Sequence, residues 1–148
     1  MRTLARLKAL VDPLDFVLGE SFDREQIPSL FGETFNPGNW NVGHIVLNEQ
    51  KIHVLLVTLN KQGKADQHRY HDYWIDANTF HWQSQNATTP TSKRGQELIQ
   101  HEMLGIRIHL FVRETKLQGG KGAPFVYIGK VRYRSHEGTR PMSVIFSL

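Results

Sequence analysis

Between Tyr70 and Gln85 the chain crowds rings and amides into one short stretch, with Tyr73, Trp74, Phe80 and Trp82 among His71, Asp72, His81, Gln83 and Gln85. On a strand, successive side chains point to opposite faces. Phe80, Trp82 and Ser84 then share one face, and His81, Gln83 and Gln85 share the other. A row of one imidazole and two carboxamides is chemistry for recognition. Each amide offers a donor and an acceptor together, which bidentate contact with a base edge requires, and rings beside it can stack on bases. Tyr73 and Trp82 are therefore candidates for stacking, and Asp72, His81, Gln83 and Gln85 for reading an edge. The competing use is structural, with Phe80 and Trp82 in the core and the polar row bonding neighbouring loops.

A second chemistry is cationic. The net charge is +4. From Gly119 to Leu148 the cations Lys121, Lys130, Arg132, Arg134 and Arg140 face Glu137 alone, so this segment carries the whole excess and the rest of the chain is neutral. Such a tract can displace counterions from phosphates. On a strand, Lys130, Arg132 and Arg134 fall about 7 Å apart on one face, close to the phosphate spacing of a nucleic-acid strand. These three, with Arg140 and with Lys93 and Arg94 at a helix start, are candidates for holding phosphates. A solvated edge that discourages strand aggregation is the alternative.

Patterns for catalysis are sparse. His68, His71, Asp72 and His81 are metal-ligand types, but their spacing fits no established zinc pattern. Glu114-Thr115-Lys116 has the Glu-x-Lys form found in metal-dependent nucleases, with Asp72 or Asp76 as an upstream carboxylate; a nuclease is the runner-up function. Neither Gly63-Lys64-Ala65 nor Gly120-Lys121-Gly122 has the Ser or Thr of a phosphate-binding loop. No histidine is followed two positions later by lysine, and no nucleophile elbow occurs. Binding alone calls for no metal and no cofactor.

The elements that must position these groups are mostly strands. Leu4, Leu7, Leu10 and Val11 recur at helical spacing, and Asp23 with Gln26 forms a capping box before Ile27, Leu30 and Phe31. Pro28 makes that second helix short or kinked, and Asn36-Pro37-Gly38-Asn39 is a turn signal. Strands are expected over Val42–Leu47, Ile52–Leu59, Tyr70–Ile75, Thr79–Gln85, Ile106–Val112, Phe125–Arg134 and Met142–Phe146. Ile106 to Val112 alternates as a half-buried strand does. Residues 60–68 read as a polar loop, 118–122 as a flexible connection, and Ser92–His101 as the one helix of this half. On the last long strand Phe125, Tyr127, Val131 and Tyr133 should share one face. Val126, Ile128, Lys130, Arg132 and Arg134 should share the other. The absence of a βαβ rhythm predicts a mainly β fold with a few helices (α+β), built on an antiparallel, barrel-like sheet.

With 148 residues, 39% hydrophobic and 22% charged, the chain matches one globular domain and not a disordered segment. We expect a single recognition domain over 1–148, helical over 1–35 and barrel-like over 40–148. The absence of cysteine excludes disulfides and thiolate zinc sites and fits a reducing cytoplasm. No run of apolar residues is long enough for a signal peptide or a membrane span. The alternative to both binding and cleavage is a protein-interaction module, which predicts a large exposed apolar patch.

The sequence resembles an uncharacterised domain found at the C-terminus of bacterial proteins that carry a phospholipase-D-type nuclease and a superfamily-two helicase. Some of these look like type IV restriction enzymes, which cut DNA containing modified cytosine. The matching residues are Val57-Thr58-Leu59-Asn60-Lys61, Tyr70-His71-Asp72-Tyr73, Phe80 to Gln85, Gly95, Leu110 to Glu114, and Ser135-His136-Glu137-Gly138 into Arg140-Pro141-Met142-Ser143. The resemblance implies a DNA-recognition module of the SRA/PUA-like or EcoRII-type pseudobarrel kind. Its expected partner is duplex DNA, read either for its sequence or for a modified cytosine, with base flipping as the expected mode. Helicase and nuclease are missing from this chain, which would make it a stand-alone reader, an excised module or a partner of separate effector chains.

Overall fold

The computed structural model describes residues 13–60 and 71–148. The helix expected through Leu4 to Val11, most of the polar loop and Tyr70 lie outside the described residues. Among the described residues there are ten strands: β1 (Ser21–Phe22), β2 (His44–Leu47), β3 (Ile52–Asn60), β4 (Tyr73–Asp76), β5 (Thr79–Gln83), β6 (Arg107–Thr115), β7 (Leu117–Gln118), β8 (Lys121–Gly122), β9 (Phe125–Glu137) and β10 (Ser143–Ser147). The α-helical segments are α1 (Ile27–Leu30), α2 (Pro37–Trp40), α3 (Lys93–Ile99) and α4 (His101–Leu104). The fold is mainly β with a few helices, as the pattern predicts.

Eight strands form one sheet in the order β2-β3-β6-β9-β10-β5-β4, with β1 also pairing β9. Two expectations are corrected here. The sheet is mixed, because β3 and β6 run parallel from Ile52↔Arg107 to Asn60↔Thr115. Parallel neighbours need a crossover, and the connection supplies it by passing through the β4–β5 hairpin and α3–α4. Nor does the sheet close, since the end strands β2 and β4 do not pair among the described residues. The connection at 118–122 is itself a small hairpin, with Leu117 paired to Gly122 and Gln118 to Lys121.

β9 holds the architecture together. Its first half pairs β1 and β6, and its second half pairs β10. The β6 register slips between Leu110↔Gly129 and Phe111↔Tyr127, which leaves Ile128 as an extra residue. A bulge of this kind bends a strand and increases its twist; Gly129, at φ 125, takes a conformation open to glycine alone. The bulge also switches faces, which corrects the simple alternation. Phe125 and Tyr127 enter one core, while Val131 enters the other with Ile128 and Tyr133 packed against it. A second slip, between Ile145↔Ser135 and Phe146↔Tyr133, leaves Arg134 unpaired in the ladder.

The two cores explain the burial. Leu55, Val57, Ile108, Leu110, Val131, Val144, Phe146, Phe80 and Trp82 line the inside of the curved sheet around Leu98 of α3. On the other face of β3, β6 and early β9, Leu14, Ile27, Phe31 and Trp40 cover Val54, Leu56, Phe111 and Tyr127. The strand expected to be half-buried is therefore buried on both faces from Ile108 to Val112. His109 survives there because its Nδ1 lies 2.8 Å from the Tyr127 hydroxyl. The N-terminal capping box forms, with Gln26 Oε1 accepting from Asp23 N–H at 2.9 Å; the helix that follows is short, with Pro28 in its first turn and Gly32, at φ 71, just past its end. The Asn36–Asn39 turn signal closes into the helical turn α2, its Asn36 side chain accepting from Gly38 N–H.

Candidate nucleic-acid interface

β5 keeps the alternation read from its sequence. Phe80 and Trp82 face the core, with Trp82 only 4% exposed. Its ring meets His44 edge-on at 5.4 Å and Phe146 at 6.0 Å, so it is a core ring with one side on a cleft wall. His81 and Gln83 face outward, half-buried, and Gln85 is exposed just beyond the strand. Tyr73, 41% exposed, stacks on His81 at 4.5 Å with the rings 12° from parallel. Asp72 is buried, and its Oδ1 accepts from Gln83 N–H at 2.8 Å, tying the approach to β4 to the end of β5.

These bonds decide which atoms remain for a ligand. His71 Nδ1 bonds Gln83 Oε1, so the imidazole donates and the amide oxygen accepts. The Gln83 –NH₂ is then the end left to donate. His81 Nδ1 lies 2.8 Å from the His71 carbonyl and must donate to it, which leaves its Nε2 as an acceptor. Among the described residues the Gln85 side chain has no partner, so it keeps both functions.

Gln83, Gln85, Asp72 and Trp82 line a cleft of about 390 Å³ whose opposite wall is Arg24 with Asn41 to His44. A second hollow of about 580 Å³ adjoins it, sharing Val42, His44 and Gln85 and adding Arg94 and the α2 turn. Arg24 shapes the wall between them, donating to the Trp40 and Val42 carbonyls at 2.8 Å and 3.1 Å. Arg94 does likewise, donating to the His44 carbonyl at 3.0 Å.

Sequence reasoning missed the histidine pair behind this wall. His44 Nε2 lies 2.7 Å from His53 Nδ1, and His53 Nε2 lies 2.7 Å from Glu97 Oε1 on α3. A carboxylate only accepts, so His53 holds its proton on Nε2 and its Nδ1 accepts from His44. The remaining His44 Nδ1 is then a lone pair, and nothing among the described residues answers it. Burial is the main cause holding both rings below the usual histidine range. His53 and Arg94 add to it for His44, while Glu97 opposes it for His53. The Glu97 contact is thus a hydrogen bond to a neutral ring rather than an ion pair.

The cations do not all gather at the cleft. Lys130 and Arg132 are exposed, and Arg132 lies opposite Ser147, whose β5 partner is Thr79. Gln83 aligns instead with Ser143 and Glu137, roughly 13–16 Å further along the sheet at about 3.3 Å per residue. Arg132 is also engaged with Glu102, its Nε and a terminal nitrogen donating at 3.1 Å and 3.2 Å. Arg134 is exposed in its bulge. Arg140 is exposed in the β9–β10 turn, which the bond from Met142 N–H to Ser84 Oγ ties to the cleft end of β5. Lys93 is exposed at the start of α3, on a separate hollow with His53 and Glu97.

Glu114 lies on β6, which β9, β10 and β5 separate from β4 and Asp76 in the sheet order. Among the described residues no three His, Cys, Asp or Glu side chains are placed to hold a metal ion. No helix of the described residues is long and apolar enough to cross a membrane.

A bulged mixed sheet curved round one helix and backed by short helical turns defines an α+β domain with its cleft at one end. The chain belongs to the family described as Domain of unknown function (DUF3427), whose model matches residues 16–145. Among solved structures it is similar to the MspJI restriction endonuclease in complex with a 27-mer oligonucleotide, at 13% identity and a TM-score of 0.44. That match covers 72% of this chain and 31% of the endonuclease, so the chain spans about a third of that protein's length. No curated protein matches.

Proposed function

We propose that this chain is the DNA-reading module of a restriction-type defence system, acting by binding while separate effector chains cut. One observation carries the reading. A cleft of about 390 Å³, within the range of small-molecule sites, collects the carboxamides of Asn41, Gln83 and Gln85, a guanidinium and an imidazole on its walls. Gln83 offers donors and Gln85 offers both functions. That set complements an edge on which donors and acceptors alternate, which is the chemistry of a nucleobase. The Tyr73–His81 stack stands outside the cleft as a platform for a neighbouring base. A base enters such a space by leaving its duplex stack, and in this reading the base is a modified cytosine.

The test is a binding titration against duplexes that differ only in carrying plain, methylated or hydroxymethylated cytosine. The account expects one of the three to be preferred. Equal affinity for all would remove cytosine modification as the signal, and no measurable affinity would remove DNA.

A further inference from the structure

A second cleft, of about 630 Å³, opens beside the first and shares Arg24 with it. Its other cations are Arg113, Lys116 and Lys121; its carboxylates are Asp23 and Glu25. Arg113 is 9% exposed. Its Nε donates to Thr58 Oγ1 at 2.8 Å and one terminal nitrogen donates to the Ala123 carbonyl at 3.0 Å. The guanidinium carbons of Arg113 and Arg24 both lie over the buried Phe125 ring, 4.2 Å and 5.2 Å from its centre. Neither makes an ion pair among the described residues.

Two guanidiniums held at one ring without a carboxylate partner are an unusual expense of charge. Burial lowers both below the ordinary arginine range. The charge of Arg24 lowers Arg113 further, while Glu25 partly offsets the effect on Arg24. A protein that needed these side chains only for packing would do better with uncharged ones. An anion between them removes the repulsion and takes up the remaining N–H donors. Arg24 spends one terminal nitrogen on two carbonyls, and Arg113 spends its Nε and one terminal nitrogen on neutral oxygens, so the other terminal nitrogen of each is left for a ligand. Arginine forks match the oxygens of a phosphate.

We infer that Arg24 and Arg113, flanked by Lys116 and Lys121, hold a phosphodiester of the strand whose base occupies the neighbouring cleft. Arg24 borders both spaces, so the phosphate lies beside the nucleotide being read. The inference rests on the DNA reading proposed above, and its test separates the two. The C-terminal cations then serve a more distant part of the duplex.

The experiment measures duplex affinity by fluorescence anisotropy across a salt series, using the full chain and a Lys116→Ala/Lys121→Ala variant. Both lysines are exposed, so the variant should fold as the parent does. The expected result is weaker binding of every duplex, with the log–log salt slope reduced by up to about 0.9, the share of the one phosphate the lysines flank. Preference among duplexes should stay as it was. Arg113→Gln, checked for folding by circular dichroism, should weaken binding in the same way. A parallel arm follows thermal stabilisation by inorganic pyrophosphate. If the parent binds no duplex but pyrophosphate stabilises it and not the lysine variant, the phosphate site stands and the DNA reading falls. An unchanged slope in the lysine variant, or no response of the parent to duplex or pyrophosphate, would overturn the site.

Discussion

Trp82 shows how one ring serves two ends. It is buried in the core, yet its wall borders the cleft, so removing it should be felt first in stability. Trp82→Ala is expected to cost about 3–5 kcal/mol of folding stability, read from denaturant midpoints; a loss below about 1 kcal/mol would mean that the ring is not a core member. His44 and His53 give a pH signature. Both rings are held below the ordinary histidine value of 6.5. As pH falls below about 6.5, the unfolded chain binds protons that the folded rings refuse, so stability is lost on acidification and is fully present above that value. Melting temperature should therefore drop between about pH 7.5 and about pH 5.5. The drop should be smaller in His44→Phe, and parallel curves for parent and variant would rule out His44 as a source. The alternation of Phe80 to Gln85 was legible in the sequence because a strand's period is two. The histidine pair was not. His44 and His53 meet only through antiparallel pairing of β2 and β3, and their third partner, Glu97, comes from a helix far along the chain.

At the scale of elements, α3 is fixed by how closely it can approach the loop before it. Ser92 Oγ accepts from Gly95 N–H at 3.2 Å, and a Cβ on Gly95 would lie 1.8 Å from the Thr89 carbonyl oxygen. Gly95→Ala must push α3 from that loop, and with it Leu98 from the core and Glu97 from His53. We expect a loss of about 3 kcal/mol or more, at the upper end for overpacking, measured by urea unfolding; a variant as stable as the parent would show that the loop yields freely. β9 carries the clearest difference between sequence and structure. Its alternation predicts one continuous face running from apolar to cationic, but the bulge at Ile128–Gly129 divides that face between two sides of the sheet. A one-residue slip is invisible to a period-two pattern, although a glycine inside a strand is the signal that could have placed it. Since Glu102 already answers Arg132, Arg132→Ala with Arg134→Ala should flatten the salt slope of duplex binding by about 1 rather than about 2. A change of about 2 would show Arg132 to be free for phosphate.

At the scale of the whole molecule, strand number and class could be read from local patterns, whereas sheet order could not. The parallel β3–β6 pair joins segments separated by a hairpin and two helices, and nothing in either strand announces its neighbour. That pair places β2 and the α2 turn across from the end of β5, and so creates the cleft. Its far wall, Arg24 with His44, comes from parts of the chain that carried no recognition signal. The near wall, Gln83 and Gln85, was legible. The central claim is that this cleft reads a base, and its most direct test is Gln85→Ala. Gln85 is exposed and has no side-chain partner among the described residues, so the variant should fold like the parent. In an equilibrium titration against the preferred duplex and its plain-cytosine counterpart, the variant should lose about 1–3 kcal/mol of discrimination while keeping the parent's affinity for the plain duplex. Undiminished discrimination in a folded Gln85→Ala variant would contradict the account and move the reading site away from the end of β5.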